Sequence, residues 1–195
     1  MRGSRLLAAA FAGAVVLAAS AVVAPAGAQD EAALIQKRQQ VREMARDALA
    51  SLYEIQPAAR LVLEHAAGYA VFSTFGIKIF FAGGQSGNGV IVNFRTQRDT
   101  FMKMVKVQAG LGFGASKDRL IFVFETANAV RDFVNQGWDF GGGANVSAMV
   151  AEQGGTFTGA VSVSPGVFLY QLTDTGLSAS LTLSGTKFFK DPDLH

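Results

Sequence analysis

Cysteine is absent from the 195 residues, and histidine occurs only at His65 and His195. The first absence excludes disulfide frameworks, thiol nucleophiles, Cys-ligated zinc and lipid attachment to a cysteine. The second removes most His-based catalytic and metal constellations. Charge is sparse as well: 16% of the residues are Asp, Glu, Lys or Arg, and the formal net charge is +2. Half of the chain is apolar, too much for intrinsic disorder. The 22 glycines follow no three-residue period, which excludes collagen. The length fits one domain of ordinary size with a short appendage.

That appendage is at the N-terminus. Arg2 and Arg5 precede an uncharged stretch, Leu6 to Val23, rich in Ala, Val and Leu. Ala26-Gly27-Ala28 follows, a small-x-small site directly before Gln29. This is the anatomy of a secretory signal peptide over residues 1–28, with the mature domain at 29–195. Ala is weakly hydrophobic, so cleavage is favoured over retention as a membrane anchor. Losing Arg2 and Arg5 levels the 17 basic with the 15 acidic residues. The positive balance is therefore no argument for nucleic acid as a partner. The expected location is periplasmic or secreted.

The mature part reads as helices first, then sheet. Leu34, Val41, Ala45, Ala48, Leu49 and Leu52 recur at helical spacing within Ala32 to Leu52, with charged residues between them. Pro57 suits the start of a second helix over Ala58 to Ala67, with Gly68 as its cap. Tyr69 to Phe75 and Ile77 to Phe81 are strand-like. Asn88-Gly89, closing a glycine-rich run from Gly83, predicts a hairpin turn leading into a strand from Val90 to Phe94. Phe101 to Ala115 predicts one long strand, and Leu120 to Glu125 a buried one. Thr126 predicts an N-cap for a short helix ending at Gly137. Val167 to Leu172 predicts another strand, with a turn at Thr173 to Gly176. Leu177, Ala179, Leu181 and Leu183 alternate with small polar residues and predict a strand with those four side chains inside. The expected fold is α+β: N-terminal helices packed on a strongly curved, mostly antiparallel sheet or barrel, with one short inserted helix. Alternating glycines support tight curvature or a helix lying close to the sheet.

No catalytic constellation emerges. His65 lies near a helix end, where a histidine favours the macrodipole, and no serine has a nucleophile-elbow context. Gly110-Leu111-Gly112-Phe113-Gly114 lacks the helix and Lys-Ser/Thr continuation of a phosphate loop. No acidic pair stands out for glycoside chemistry. No enzyme activity, cofactor or metal is expected.

Charge is polarised along the chain. Arg95 to Arg119 holds Arg95, Arg98, Lys103, Lys106, Lys117 and Arg119 against Asp99 and Asp118. Leu120 to Thr186 holds Arg131 alone against five acids. Such lysines can guard a strand edge against sheet-to-sheet pairing. They can equally form a basic face for anionic head groups, at roughly 1 kcal/mol per cation. Phe94, Phe101 and Phe113 are interleaved with them, for an interface or for the core.

Several blocks resemble the SYLF domain family of lipid-binding proteins, whose eukaryotic members are also described as actin-binding. They are Ala66-Ala67-Gly68-Tyr69-Ala70-Val71-Phe72 with Lys78 and the run Gly83 to Val90, then Gln108 to Ala115. Leu120-Ile121-Phe122-Val123-Phe124 follows, then Trp138-Asp139-Phe140-Gly141-Gly142-Gly143-Ala144. Leu169-Tyr170-Gln171 through Leu181 completes the set, and together with the preceding helices the blocks cover nearly all of residues 29–195. Each block is glycine and apolar residues; their order and spacing carry the specificity. The resemblance implies non-enzymatic binding of anionic phospholipid head groups, through basic residues or an N-terminal amphipathic helix, and a secreted, cysteine-free chain suits a bacterial cell envelope. Lys78 is the basic residue inside the first block. With Lys103, Lys106, Lys117 and Arg119 it makes the candidate site, as one basic patch. The leader argues against actin as a partner. The alternative is an interaction or structural module that docks an envelope protein through its sheet.

Overall fold

The computed structural model describes residues 26–109, 113–140, 156–157, 159–178, 183 and 185–194. Arg2, Arg5 and the uncharged stretch up to Val23 lie outside the described residues, as do Gly110, Gly112, Ala179 and Leu181. Two helices come first, α1 (Ala26–Ile55) and α2 (Ala59–Glu64). Four long strands follow: β1 (Gly68–Ile79), β2 (Ala82–Asn93), β3 (Arg98–Ala109) and β4 (Gly114–Phe124). Then come α3 (Ala127–Gln136), β5 (Trp138–Phe140), β6 (Thr156–Phe157), β7 (Ala160–Ser164), β8 (Val167–Thr173), β9 (Gly176–Ser178) and β10 (Thr186–Lys190). The strands form one antiparallel sheet in the order β5-β10-β3-β2-β1-β4-β8-β7-β6, with β9 beside β8. The fold is α+β: an N-terminal helix packed on a curled half-barrel that holds a short helix.

Both faces of the sheet's upper half are buried, each by a different helix. Antiparallel register puts directly paired residues on one face. Val71 pairs with Val90 and Ile121, Val90 with Phe101, and Ile121 with Tyr170. This row across five strands meets Val41, Ala45, Ala48, Leu49 and Leu52 of α1 in one core. The other parity puts Ala70, Phe72, Ile91, Met102, Phe122 and Leu169 against Val130 and Phe133 of α3. Burial on both sides is why Leu120 to Phe124 reads as a continuous apolar run instead of alternating.

Local signals at the α3 ends hold. Thr126 Oγ1 accepts from the Ala129 amide at 3.2 Å, and Gly137 closes the helix at φ +64°. The β8–β9 turn lies at Thr173 to Gly176, where Thr173 Oγ1 donates to the Gly176 carbonyl at 3.0 Å.

Four local expectations are corrected. Asn88-Gly89 is not a turn: both residues sit inside β2, opposite Ser73 and Phe72. Gly89 is needed there for close approach, because a Cβ would lie 2.3 Å from Phe72 Cδ1 and 2.5 Å from the Val71 carbonyl oxygen. The turn instead falls at Phe80-Phe81, between the paired Ile79 and Ala82, so β1 runs unbroken from Gly68. Gly68 is no helix cap, since α2 stops at Glu64 and Gly68 pairs with Asn93 and Phe124. The stretch Phe101 to Ala115 divides between β3, which ends at Ala109, and β4, which begins at Gly114.

Of the four residues expected inside, Ala179 and Leu181 lie outside the described residues. Leu177 packs against the α1-side core, whereas Leu183 belongs to the α3-side core. β9 ends at Ser178.

Candidate functional site

α1 and α2 cover only the upper part of their face. Below the level of Ser73 the same face carries Phe75, Ile77 and Ile79 from β1 and Val105 and Val107 from β3, all exposed. Pairing makes them neighbours: Phe75 lies opposite Ser86 and Lys117, with Val105 beyond Ser86, and Ile77 opposite Gly84 and Ala115, with Val107 beyond Gly84. The patch ends at Phe80 and Phe81 in the β1–β2 turn and at Phe113 before β4, which are 59%, 69% and 71% exposed. The Phe80 and Phe113 rings meet edge-on, their centroids 4.5 Å apart. Contiguous apolar surface of this kind marks an interaction site.

Phe80 holds a backbone φ of +55°. It is the first residue of a two-residue loop, where a type II′ turn places glycine. A bulky side chain in that region is strained by about 1–3 kcal/mol, and strain is retained where something else requires the residue.

The five candidate basic residues do not form one patch. Lys103, Lys117 and Arg119 share the α1 face, since Lys103 pairs with Asn88, Asn88 with Ser73 and Ser73 with Arg119. Lys78 and Lys106 have the other parity and lie on the α3 face of the sheet. The physical reason is the two-residue period of a strand, which no bulge in β1, β3 or β4 interrupts.

Lys103 is occupied. Its Nζ lies 3.0 Å from Asp191 Oδ1 and 2.6 Å from Asp193 Oδ2, and the Asp191 side chain is buried. The hydrogen bonds that Lys103 donates to Asp193 and Asp191 raise its pKa, and the bond accepted from Lys103 lowers that of Asp193. The Asp193 contribution is complete above its ordinary value of 3.8 and fades as pH falls through its depressed folded value. The Lys103 contribution is complete below 10.5 and fades as pH rises through its raised value. The C-terminal segment is therefore expected to loosen in acid, seen as lower hydrogen-exchange protection factors at residues 190–194 once the intrinsic pH dependence of exchange is divided out. Lys103→Met strands a buried carboxylate and should cost about 1–3 kcal/mol. A drop in vesicle binding with no change in melting would instead return Lys103 to the ligand surface.

Lys106 is half-buried; desolvation lowers its pKa, opposed by the charge of Asp118. Asp118 belongs to a polar network on the α3 face, in which Gln85 Nε2 donates to Asp118 Oδ2 and to Thr74 Oγ1, both at 2.8 Å. Lys78 lies at the sheet end, lining a small cleft with Phe113 and Ile77. Lys117 and Arg119 are exposed beside the apolar patch. They border a groove of about 400 Å³ between the end of α1 and β4.

The helix rival is also placed. Arg42 Nε donates to Asp99 Oδ2 at 2.6 Å and its guanidinium lies 5.1 Å from the Phe101 ring centre. Arg38 Nε donates to the Leu194 carbonyl at 3.0 Å. Arg42 thus ties α1 to β3, and Arg38 ties it to the C-terminal segment after β10. Among the aromatics weighed above, Phe101 is core, Phe94 stacks edge-on with Tyr69, and Phe113 is exposed. Sequence reasoning missed Phe75, Ile77, Ile79, Phe80 and Phe81 as surface. Their signal was a strand apolar at nearly every position outside the span that helices can cover. Among the described residues no helix is long and apolar enough to cross a membrane.

The chain has a curated relative. It is 31% identical over 154 residues to Beta cell expansion factor A of Aeromonas veronii. The match takes in 79% of this chain and 57% of Beta cell expansion factor A, so the chain spans little more than half of that protein's length. No family model matches the chain.

Proposed function

We propose that the protein is a non-enzymatic phospholipid-binding protein of the bacterial cell envelope, exported by its leader and contacting anionic head groups. The observation that carries this reading is the pair Lys117 and Arg119 beside an uncovered apolar sheet face. Cations at the margin of apolar surface match the two layers of an anionic membrane, charged head groups over hydrocarbon. The blocks that resemble the SYLF family support the same ligand. The name Beta cell expansion factor A describes a cellular effect and no reaction, which accords with a non-enzymatic reading.

Co-sedimentation with phosphatidylglycerol-containing vesicles tests it. Each cation near such a surface contributes about 1 kcal/mol, so Lys117→Glu with Arg119→Glu should weaken binding at least about thirtyfold. Far-UV circular dichroism should stay unchanged, because both side chains are exposed. Binding should also weaken as salt shortens the screening length from about 10 Å at 0.1 M to about 3 Å at 1 M. Equal binding to neutral and anionic vesicles, or a double variant that binds like the parent, rejects the assignment. Absence of lipid binding with capture of an envelope protein on the same face selects the docking module.

A further inference from the structure

We propose that the aromatic end of the half-barrel, Phe80 and Phe81 with Phe113, is a wedge that inserts into the head-group and acyl-chain boundary of an anionic bilayer. This rests on the lipid reading above and adds an insertion point and an orientation to it.

Four observations converge. The three rings are more than half exposed, at two adjacent strand ends. Phe80 and Phe113 touch, so the two ends present one apolar tip. Phe80 keeps a positive φ at a position where glycine would relax the turn, so the ring is retained against backbone preference. Cations stand behind the tip. Lys78 is two residues from Phe80, about 7 Å along the strand at 3.3 Å per residue. An interfacial element enters about 5–10 Å, which puts the Lys78 ammonium among the head groups when the rings reach the acyl boundary. Lys117, paired with Phe75, stands farther back on the α1 face. The exposed aliphatic side chains behind the tip, Ile79 and Ile77, are on that face too. The molecule therefore meets the bilayer obliquely with the α1 side of the sheet tilted down, which brings Lys117 to the surface. Charge complementarity at two levels selects an anionic bilayer over a second copy of this chain, whose matching patch would carry the same cations.

The experiment uses the full mature chain and vesicles of phosphatidylglycerol and phosphatidylcholine. Phe81→Trp places a reporter at the tip; the native Trp138 belongs to the α3-side aromatic cluster and serves as the internal background. With vesicles, the emission of the Phe81→Trp variant should shift to the blue. It should be quenched more by bromine near the head-group end of the acyl chain than by bromine near the methyl end. Phe80→Gly combined with Phe81→Ser should lower vesicle affinity at least tenfold while melting no lower than the parent, because glycine suits the positive φ. The wedge is overturned, and the head-group reading left standing, by a specific pair of results. They are salt-sensitive co-sedimentation with no shift or quenching in the Phe81→Trp variant, and a double variant that binds normally. No co-sedimentation of the parent overturns both. Concentration-dependent self-association that disappears in the double variant, without vesicle binding, assigns the tip to a second copy and also overturns the wedge.

Discussion

Phe122→Ala is expected to destabilise the protein by about 3–5 kcal/mol, a large part of the total stability of a domain of this size. Phe122 is fully buried on β4, the strand that lies between β1 and β8. Its ring lies 6.0 Å from that of Phe72, 5.5 Å from Phe133 and 5.3 Å from Phe188, so β1, α3 and β10 all meet it. Truncation removes the transfer energy of the ring and leaves a hole among rigid neighbours. Strand pairing on both sides and α3 above prevent collapse into it. Urea unfolding gives the number directly. A loss below about 1 kcal/mol would mean that the α3-side core repacks freely, contrary to its interlocked aromatic geometry. Phe113→Ala serves as the contrast: its ring is exposed, and its loss should change stability little.

Gly89→Val should be at least as severe, by the opposite mechanism. A Cβ at Gly89 falls 2.3 Å from the Phe72 ring and 2.5 Å from the Val71 carbonyl oxygen. The ring is held by Phe122, Phe133 and Phe188, and the carbonyl belongs to the β1–β2 ladder. Relief requires the two strands to part, so the cost lies at or beyond the upper end of the usual range of about 1–3 kcal/mol for overpacking. Gly84 sits in the same glycine-rich run, and the nearest atom to its added Cβ is 3.9 Å away. Gly84→Ala should therefore melt close to the parent. Comparable melting losses for the two substitutions would show that the run is intolerant because of backbone freedom, not because of the Phe72 approach.

The same glycine run shows where local reading stops. Asn-Gly is the strongest short hairpin signal because both residues accept positive φ. Here the turn formed instead at Phe80-Phe81, which no propensity favours. Register decided it: Val71 faces Val90 and Ile121, and Phe72 faces Gly89, so both helix-covered cores close only with this pairing. A turn at Asn88-Gly89 would leave Phe72 without the glycine that admits its ring. Tertiary burial outweighs turn preference because several apolar side chains at about 1.5–3 kcal/mol each exceed the strain of one turn residue.

Residue order alone sufficed for the α+β class, the α1 stripe, the caps at Thr126 and Gly137, and the buried run of β4. Each is written in contacts within a few residues, or in a period that holds in any packing. The opposite parity of Lys103 and Lys106 is written in the sequence too, but that no bulge cancels it, and that the basic residues therefore divide between two faces, is decided by the register of the sheet. Which cations are engaged was settled by long-range packing. Lys103 is taken by Asp191 and by Asp193, the latter 90 residues along the chain, and Arg42 by Asp99 across the helix–sheet interface. Packing also settled which apolar residues are core and which are surface. Val71 and Ile77 are alike in strand, parity and chemistry, yet one lies beneath α1 and the other beyond its reach. Burial depends on what crosses overhead, and that is set by where a distant helix comes to rest.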